Sequence, residues 1–445
     1  MLETFRNAWK VEDLRKKIIY TLIMLLIYRV GSVIPTPGVN VEYIAQQVNN
    51  ISMLGMLDFI NGQNFSNFTI FAMGISPYIT SSIIMQLLTI AIPSLERLQK
   101  EGEEGRKKIA EITRVVTIAL GCIMALGIIL GLGSGAMAKG ANANFFDYAL
   151  VFVVLAAGTA FTMWIGERIT ENGIGNGVSL IITIGIVSRL PQSVIELVQM
   201  AWNGQTPDGT SFKPVQLLLL LVVFCVVTAA TIMLSQGYRR VPIQMIRKTV
   251  GKQMTGGATY MPLKVNFANV MPIIFAGAIL MLPEYMFRYF ASQPDASTIW
   301  NSLALSFQNG GTGYMIAYAL LILAFSFFWV ANQFNPIQIA DNLKKEGAFI
   351  PGISPGQPTA DFLDTAMTRV TAGGAVFLMA LALFPMFLYS SFKIPFMVAQ
   401  FFGGTSLLIM VGVVLDTMSQ LESHLTMRHY EGFLKSGRLR SRSGN

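Results

Sequence analysis

The chain has 445 residues, 53% of them hydrophobic and only 13% charged, with a mean hydropathy of +0.54. An ordinary soluble domain is excluded, because such domains carry about 25% charged residues. The net charge of +8 does not point to nucleic acid, since the basic residues segregate by loop.

Mostly apolar windows near the roughly 20 residues that a helix needs to cross about 30 Å of hydrocarbon recur ten times. In chain order they are Ile18 to Ile34, Thr69 to Ile90, Arg114 to Leu132, Tyr148 to Ile165, Ile174 to Leu190, Val215 to Ser235, Val270 to Met286, Gly313 to Val330, Met367 to Leu388 and Phe396 to Leu415. The first follows Arg15, Lys16 and Lys17, as in a signal peptide. Pro35 and Pro37 come next, with no small-x-small cleavage site, so this span is expected to be retained.

Between the first two spans lies "NNISMLGMLDFINGQNFSNF", too short and polar to cross and too apolar for a free loop. A half-inserted segment fits, because irregular backbone at membrane depth is tolerated where protein buries it or it lines a cavity. An amphipathic helix on the outer surface fits as well.

The second span holds "FAMGISPYITSSIIMQLL". On a helix Ile79, Ile83, Gln86 and Ile90 form one stripe, while Gly74 and Ser81 fall elsewhere. Small residues allow close helix packing, and hydroxyls can bond to backbone carbonyls. Ile182 and Ile186 in the fifth span repeat the isoleucine spacing.

Lys and Arg crowd the N-terminal segment, "RLQKEGEEGRKK", "YRRVPIQMIRKTVGKQ", "NLKKEGAF" and "KSGRLRSR", which are alternate connections. Arg29, Lys139, Arg189, Lys213, Arg288 and Lys393 fall on or near the other side. The positive-inside rule then places both termini in the cytoplasm. Ten spans divide at the outer loop 203–213 into an N-terminal half, 1–202, and a C-terminal half, 203–420, followed by a tail, 421–445. Halves of five spans have opposite orientations, the parity of an inverted repeat. The last residues, "KSGRLRSRSGN", read as disordered.

No carboxylate, His or Lys is expected at the middle of a span, which argues against an ion-coupled transporter. Cys122 and Cys225 fall within apolar spans, where a thiol behaves as a small hydrophobe. There is no phosphate loop, metal-ligand spacing or catalytic triad, so no cofactor and no enzyme activity are expected.

In the sixth-to-seventh loop, 236–269, residues alternate in "YRRVPIQMIRK" and "ATYMPLKVN" around Gly256 and Gly257, which predicts a protruding β-hairpin. Arg239, Arg240, Arg247, Lys248 and Lys252 make it basic. The eighth-to-ninth loop, "NPIQIADNLKKEGAFIPGISPGQP", shares that side and adds Lys344 and Lys345. Loops this long and punctuated exceed what orientation requires, and they suggest docking of a sizeable acidic partner.

"GISPYITSSIIMQLL", "EGEEGRKKIAEITR", "GIGNGVSLIITIGIV", "PLKVNFANVMPIIFA", "NPIQIADNLKKEGAFIPG" and "GGTSLLIMVGVVLD", in that order, resemble the bacterial SecY family, large channel subunits of the Sec translocon. The resemblance runs from roughly Phe5 to Tyr430. It implies an all-α polytopic membrane protein of the bacterial cytoplasmic membrane, with about ten transmembrane helices in two pseudo-symmetric inverted halves around a central pore. Unfolded precursor polypeptides with signal sequences would thread between the halves, driven by a SecA motor ATPase or fed by a translating ribosome. Apolar segments would leave sideways into membrane lipid, between spans two and three on one side and seven and eight on the other. A small polar face on span two would ease that parting.

SecE-type and SecG-type small subunits would accompany the chain. The family's aliphatic ring maps to Ile79, Ile83, Ile182, Ile186, Ile274 and Ile409. Its plug maps to about 52–64, with Met53, Leu54, Met56, Leu57, Phe59 and Ile60, and its docking loops are the two basic loops. One departure is Ser354 in "GISPGQ", where many members place a basic residue linked to the motor. Alternative readings are an inverted-repeat secondary transporter of small solutes, an accessory Sec channel paralogue, or a membrane scaffold without a conduit.

Overall fold

The computed structural model describes residues 6, 8–50, 58, 61–204, 214–245, 248–250, 253–255, 258–291, 297–307, 311–392, 398–400 and 403–437. The chain forms two compact units, one of residues 1–192 with 412–445 and the other of 193–411.

The first unit contains α1 (Glu12–Gly31), α2 (Val41–Asn50), α3 (Ser76–Ala91), α4 (Pro93–Lys100), α5 (Glu103–Leu132) and α6 (Phe145–Asn172). It also takes the start of α7 (Gly177–Asn203) and the later part of α14 (Gly404–Gly437). α3 packs on α5, α5 on α6, and α1 on α6. Pro93 starts α4 and holds Ile92 extended at φ −108° and ψ 112°, so α4 bends by 104° from α3.

The second unit holds the rest of α7, α8 (Pro214–Gln236), α9 (Met271–Ala291), α10 (Thr298–Ser306), α11 (Thr312–Gln333), α12 (Pro336–Lys345), α13 (Gln357–Phe392) and the start of α14. α9 packs on α11 and α11 on α13. Their core includes Ile273, Ala276, Tyr314, Tyr318, Ile322 and Leu378.

Each of the ten expected spans overlaps a helix among the described residues. Among the described residues seven helices are long and apolar enough to cross a membrane, and the bent pair of α3 and α4 makes an eighth. Leu26, Leu130, Val153 and Leu218 are exposed. Apolar side chains facing outward are unfavourable in water but suited to lipid. The exposed aromatics Phe145, Phe146 and Trp202 sit at helix ends, where an amphipathic ring suits the membrane interface.

Three expectations need correction. Thr69 to Ile75 is a run of turns, and the second-span helix begins only at Ser76, with Pro77 in its first turn. Several helices outrun their apolar windows, because charged helix formers prolong the backbone hydrogen bonding into water, as in "EEGRKKIAEITR" of α5. The segment from 421 is not a separate tail: α14 continues to Gly437, with Met418, Leu421 and Leu425 packed beside Ala8, Leu14, Ile18 and Ile174. The spacing of three and four residues puts all three on one helical face. Arg189, at the end of the expected fifth span, lies within α7 and is 2% exposed.

The 236–269 alternation is expressed as β1 (Tyr238–Met245) paired antiparallel with β4 (Ala258–Lys264), Val241 opposite Met261. β2 (Lys248–Val250) and β3 (Gln253–Thr255) form a separate two-stranded pair. A short strand of the eighth-to-ninth loop, β5 (Ala348–Phe349), adds to the other edge of β1. The order is β4-β1-β5, so both basic loops enter one sheet.

Candidate functional site

The segment before α3 is built from polar side chains that satisfy its own backbone. Asp58 Oδ1 accepts from the N–H groups of Phe65 and Ser66 at 3.0 and 2.9 Å. Asn61 Nδ2 donates to the carbonyls of Ala72 and Met73 at 3.4 and 3.2 Å, and its Oδ1 accepts from Ser76 Oγ at 3.1 Å. Asn64 Nδ2 donates to the Tyr28 hydroxyl at 3.0 Å. These side chains therefore pair part of the non-helical backbone buried in the turns 61–75, as such backbone requires inside a membrane protein. The apolar residues of these turns, Phe65, Phe68, Ala72 and Met73, join a core with Ala125, Ile129, Val151 and Leu155. A free surface helix does not describe 61–75. Met53, Leu54, Met56, Leu57, Phe59 and Ile60 lie outside the described residues.

This explains the small residues of the opening of span two. Gly74 adopts φ +53°, and a Cβ there would come within 2.4 Å of Asn61 Oδ1. Ser81 is fully buried and donates to the Thr113 carbonyl of α5 at 2.9 Å. Ser81 is thus fastened to a neighbour within its own unit.

On the isoleucine stripe of α3, Ile79 is half-buried, Ile83 buried and Ile90 exposed. Gln86, between them, has a buried Oε1 with no hydrogen-bond partner among the described residues. Ile182 and Ile186 are buried on α7. Ile274 on α9 and Ile409 on α14 are half-buried in the second unit.

Sequence reasoning missed one pair. Arg189 of α7 forms an ion pair with Asp58, through Nη2 and Oδ2, with side chains 3% and 0% exposed. Each had a faint signature: Asp58 is the one charge in its apolar stretch, and Arg189 the one base in α7. Lone opposite charges in apolar surroundings need partners.

In the second unit Arg239 and Arg240 are exposed on β1, while Val241 and Ile243 turn inward. Arg240 sits 5.2 Å from the centroid of the Tyr238 ring and donates to its hydroxyl at 3.0 Å. Lys344 and Lys345, both exposed, occupy the last turn of α12, where cations complement the helix dipole, three residues before β5. Lys248 is in β2, whereas Arg247 and Lys252 lie outside the described residues. Exposed Ser354 accepts from Thr359 Oγ1 at 2.9 Å through its carbonyl.

The model of the SecY family matches residues 69–418. The chain belongs to the SecY family. Its similarity to curated SecY proteins extends beyond those limits: the protein translocase subunit SecY of Chlamydia trachomatis is 39% identical over 462 aligned positions, covering 99% of this chain and all of the relative. That of Bacillus subtilis is 41% identical, covering 98% and 100%. A solved structure of a protein conducting channel shares the fold, with TM-score 0.58 and 19% identity over 92% of each chain. The quoted SecY-like segments from "GISPYITSSIIMQLL" to "GGTSLLIMVGVVLD" all fall within the matched residues.

Proposed function

We propose that this chain is the pore-forming subunit of a bacterial Sec translocon, passing unfolded polypeptides across the cytoplasmic membrane and releasing apolar segments sideways into lipid. The observation that carries the reading is the end-to-end match to relatives named protein translocase subunits, at about the same length. The halves 1–202 and 203–420 form the inverted pair, both termini face the cytoplasm, and the pore runs between the halves.

Ile79, Ile83, Ile182, Ile186, Ile274 and Ile409 form the constriction. Aliphatic side chains seal around any passing chain because apolar contact is non-directional, whereas a charged ring would select by sign. Residues 52–64 are the plug. The sheet that joins both basic loops supports a docking role for Arg239, Arg240, Arg247, Lys248, Lys252, Lys344 and Lys345. They receive the SecA-type motor or the ribosome, and SecE-type and SecG-type subunits accompany the chain in the membrane. Energy enters through the motor or the ribosome.

Photo-crosslinkers at positions 83 and 186 are expected to capture a stalled precursor in transit. Continued translocation without any such capture overturns the assignment. Solute uptake driven by an ion gradient, in liposomes holding this chain alone, would favour a secondary transporter instead.

A further inference from the structure

The buried pair of Asp58 and Arg189 does more than neutralise two charges. Three contacts connect Asp58 and the 61–63 turn to α7. Asp58 pairs with Arg189, and the Gln63 amide donates to Gln192 Oε1. Gly62, at φ +69°, comes so close that a Cβ would lie 2.7 Å from Gly185 Cα. Gly185, Arg189 and Gln192 are spaced by four and three residues, so one stripe of α7 receives Asp58, Gly62 and Gln63. Ile186, assigned above to the constriction, lies on the same turns.

We infer that the Asp58–Arg189 pair is a latch that seats Asp58 and the 61–63 turn on α7 and sets how readily the channel opens. The inference rests on the channel reading. The physical reason is asymmetry. A buried ion pair adds little net stability while intact, but separating it, or removing one partner, leaves a charge without compensation in an apolar interior. The segment is therefore held in one position until water or a polar chain can solvate both groups. Asp58 and Arg189 act as positioning residues, and the aliphatic side chains still form the seal.

The test uses the complex copurified with its small subunits and reconstituted in planar bilayers. Asp58→Asn retains the oxygen that accepts from Phe65 and Ser66 but removes the carboxylate paired with Arg189, and Arg189→Gln removes the guanidinium paired with Asp58. Each is expected to raise resting ion conductance by roughly tenfold or more. The double variant leaves neither charge buried alone and should leak less than either single one, a non-additivity that double-mutant cycles measure. Wild-type conductance in both assembled single variants, or strictly additive leakage in the double, overturns the latch.

A second measurement does not depend on those variants folding. With Cys122 and Cys225 changed to Ala, Gln63→Cys and Gln192→Cys are joined by a short cleavable thiol crosslinker. Joining them should arrest precursor passage, and reduction should restore it. Undiminished passage through the joined complex also overturns the proposal. If the unmodified complex captures precursors at 83 and 186 while these tests fail, the latch alone is wrong; if capture itself fails, the channel reading is wrong.

Discussion

At Gly74 the backbone occupies a left-handed conformation with the Asn61 side chain pressed against it, so two constraints coincide on one residue. Gly74→Ala is expected to cost about 1–3 kcal/mol, from backbone strain and the displaced Asn61. Thermal unfolding of the detergent-solubilised complex should show a lower Tm, while Ser82→Ala, nearby on half-buried surface, should shift stability by less than about 0.5 kcal/mol. At Ser81 the argument concerns volume as well as hydrogen bonding. Ser81→Ala loses one hydrogen bond and should cost about 1 kcal/mol. Ser81→Leu forces α3 away from α5 and should cost more, about 1–3 kcal/mol, by overpacking. Equal Tm values for the two variants would contradict the close approach of α3 and α5.

At the element scale, β5 makes one structure of two loops far apart in sequence. Its position depends on α12, whose N-terminus is capped by Asn335 accepting from Gln338 N–H at 3.1 Å. Asn335→Ala should cost about 1 kcal/mol locally, seen as faster hydrogen exchange at Ala348 and Phe349 with β1–β4 pairing unaffected. Reversing the charge of Arg239 and Arg240 together should weaken binding of the motor or ribosome to reconstituted complexes by about tenfold or more at low salt. The difference should shrink as salt rises, since exposed charges are screened over a Debye length of about 8 Å at physiological ionic strength. Unchanged affinity would leave these arginines with a role in topology alone.

For the whole molecule, the proposed seal belongs to side chains from four helices, and its failure is best read as leakage. Ile83→Gly combined with Ile186→Gly removes two aliphatic groups from the ring and should raise ion conductance well above that of either single variant. Both positions are buried in the first unit, so assembly with the small subunits must be verified in the same preparation. Intact complexes with wild-type conductance would remove these residues from the constriction.

Membrane class, span order and the basic hairpin were legible because each is written in local periodicity: apolar windows for α5 and α8, alternation for β1 and β4. The boundaries of α3 and α14 were less legible, since hydropathy records where lipid is tolerated and not where helical hydrogen bonding stops. Asn61 reaches 11 and 12 residues along the chain to hold Ala72 and Met73 in turns. The addition of β5 to β1 and the pairing of Asp58 with Arg189, 131 residues apart, were decided only by the tertiary structure. The sequence by itself determined which residues tolerate lipid and which need water. A buried charge or an unpaired strand edge is satisfied by whatever the fold brings near it, and only folding selects that partner.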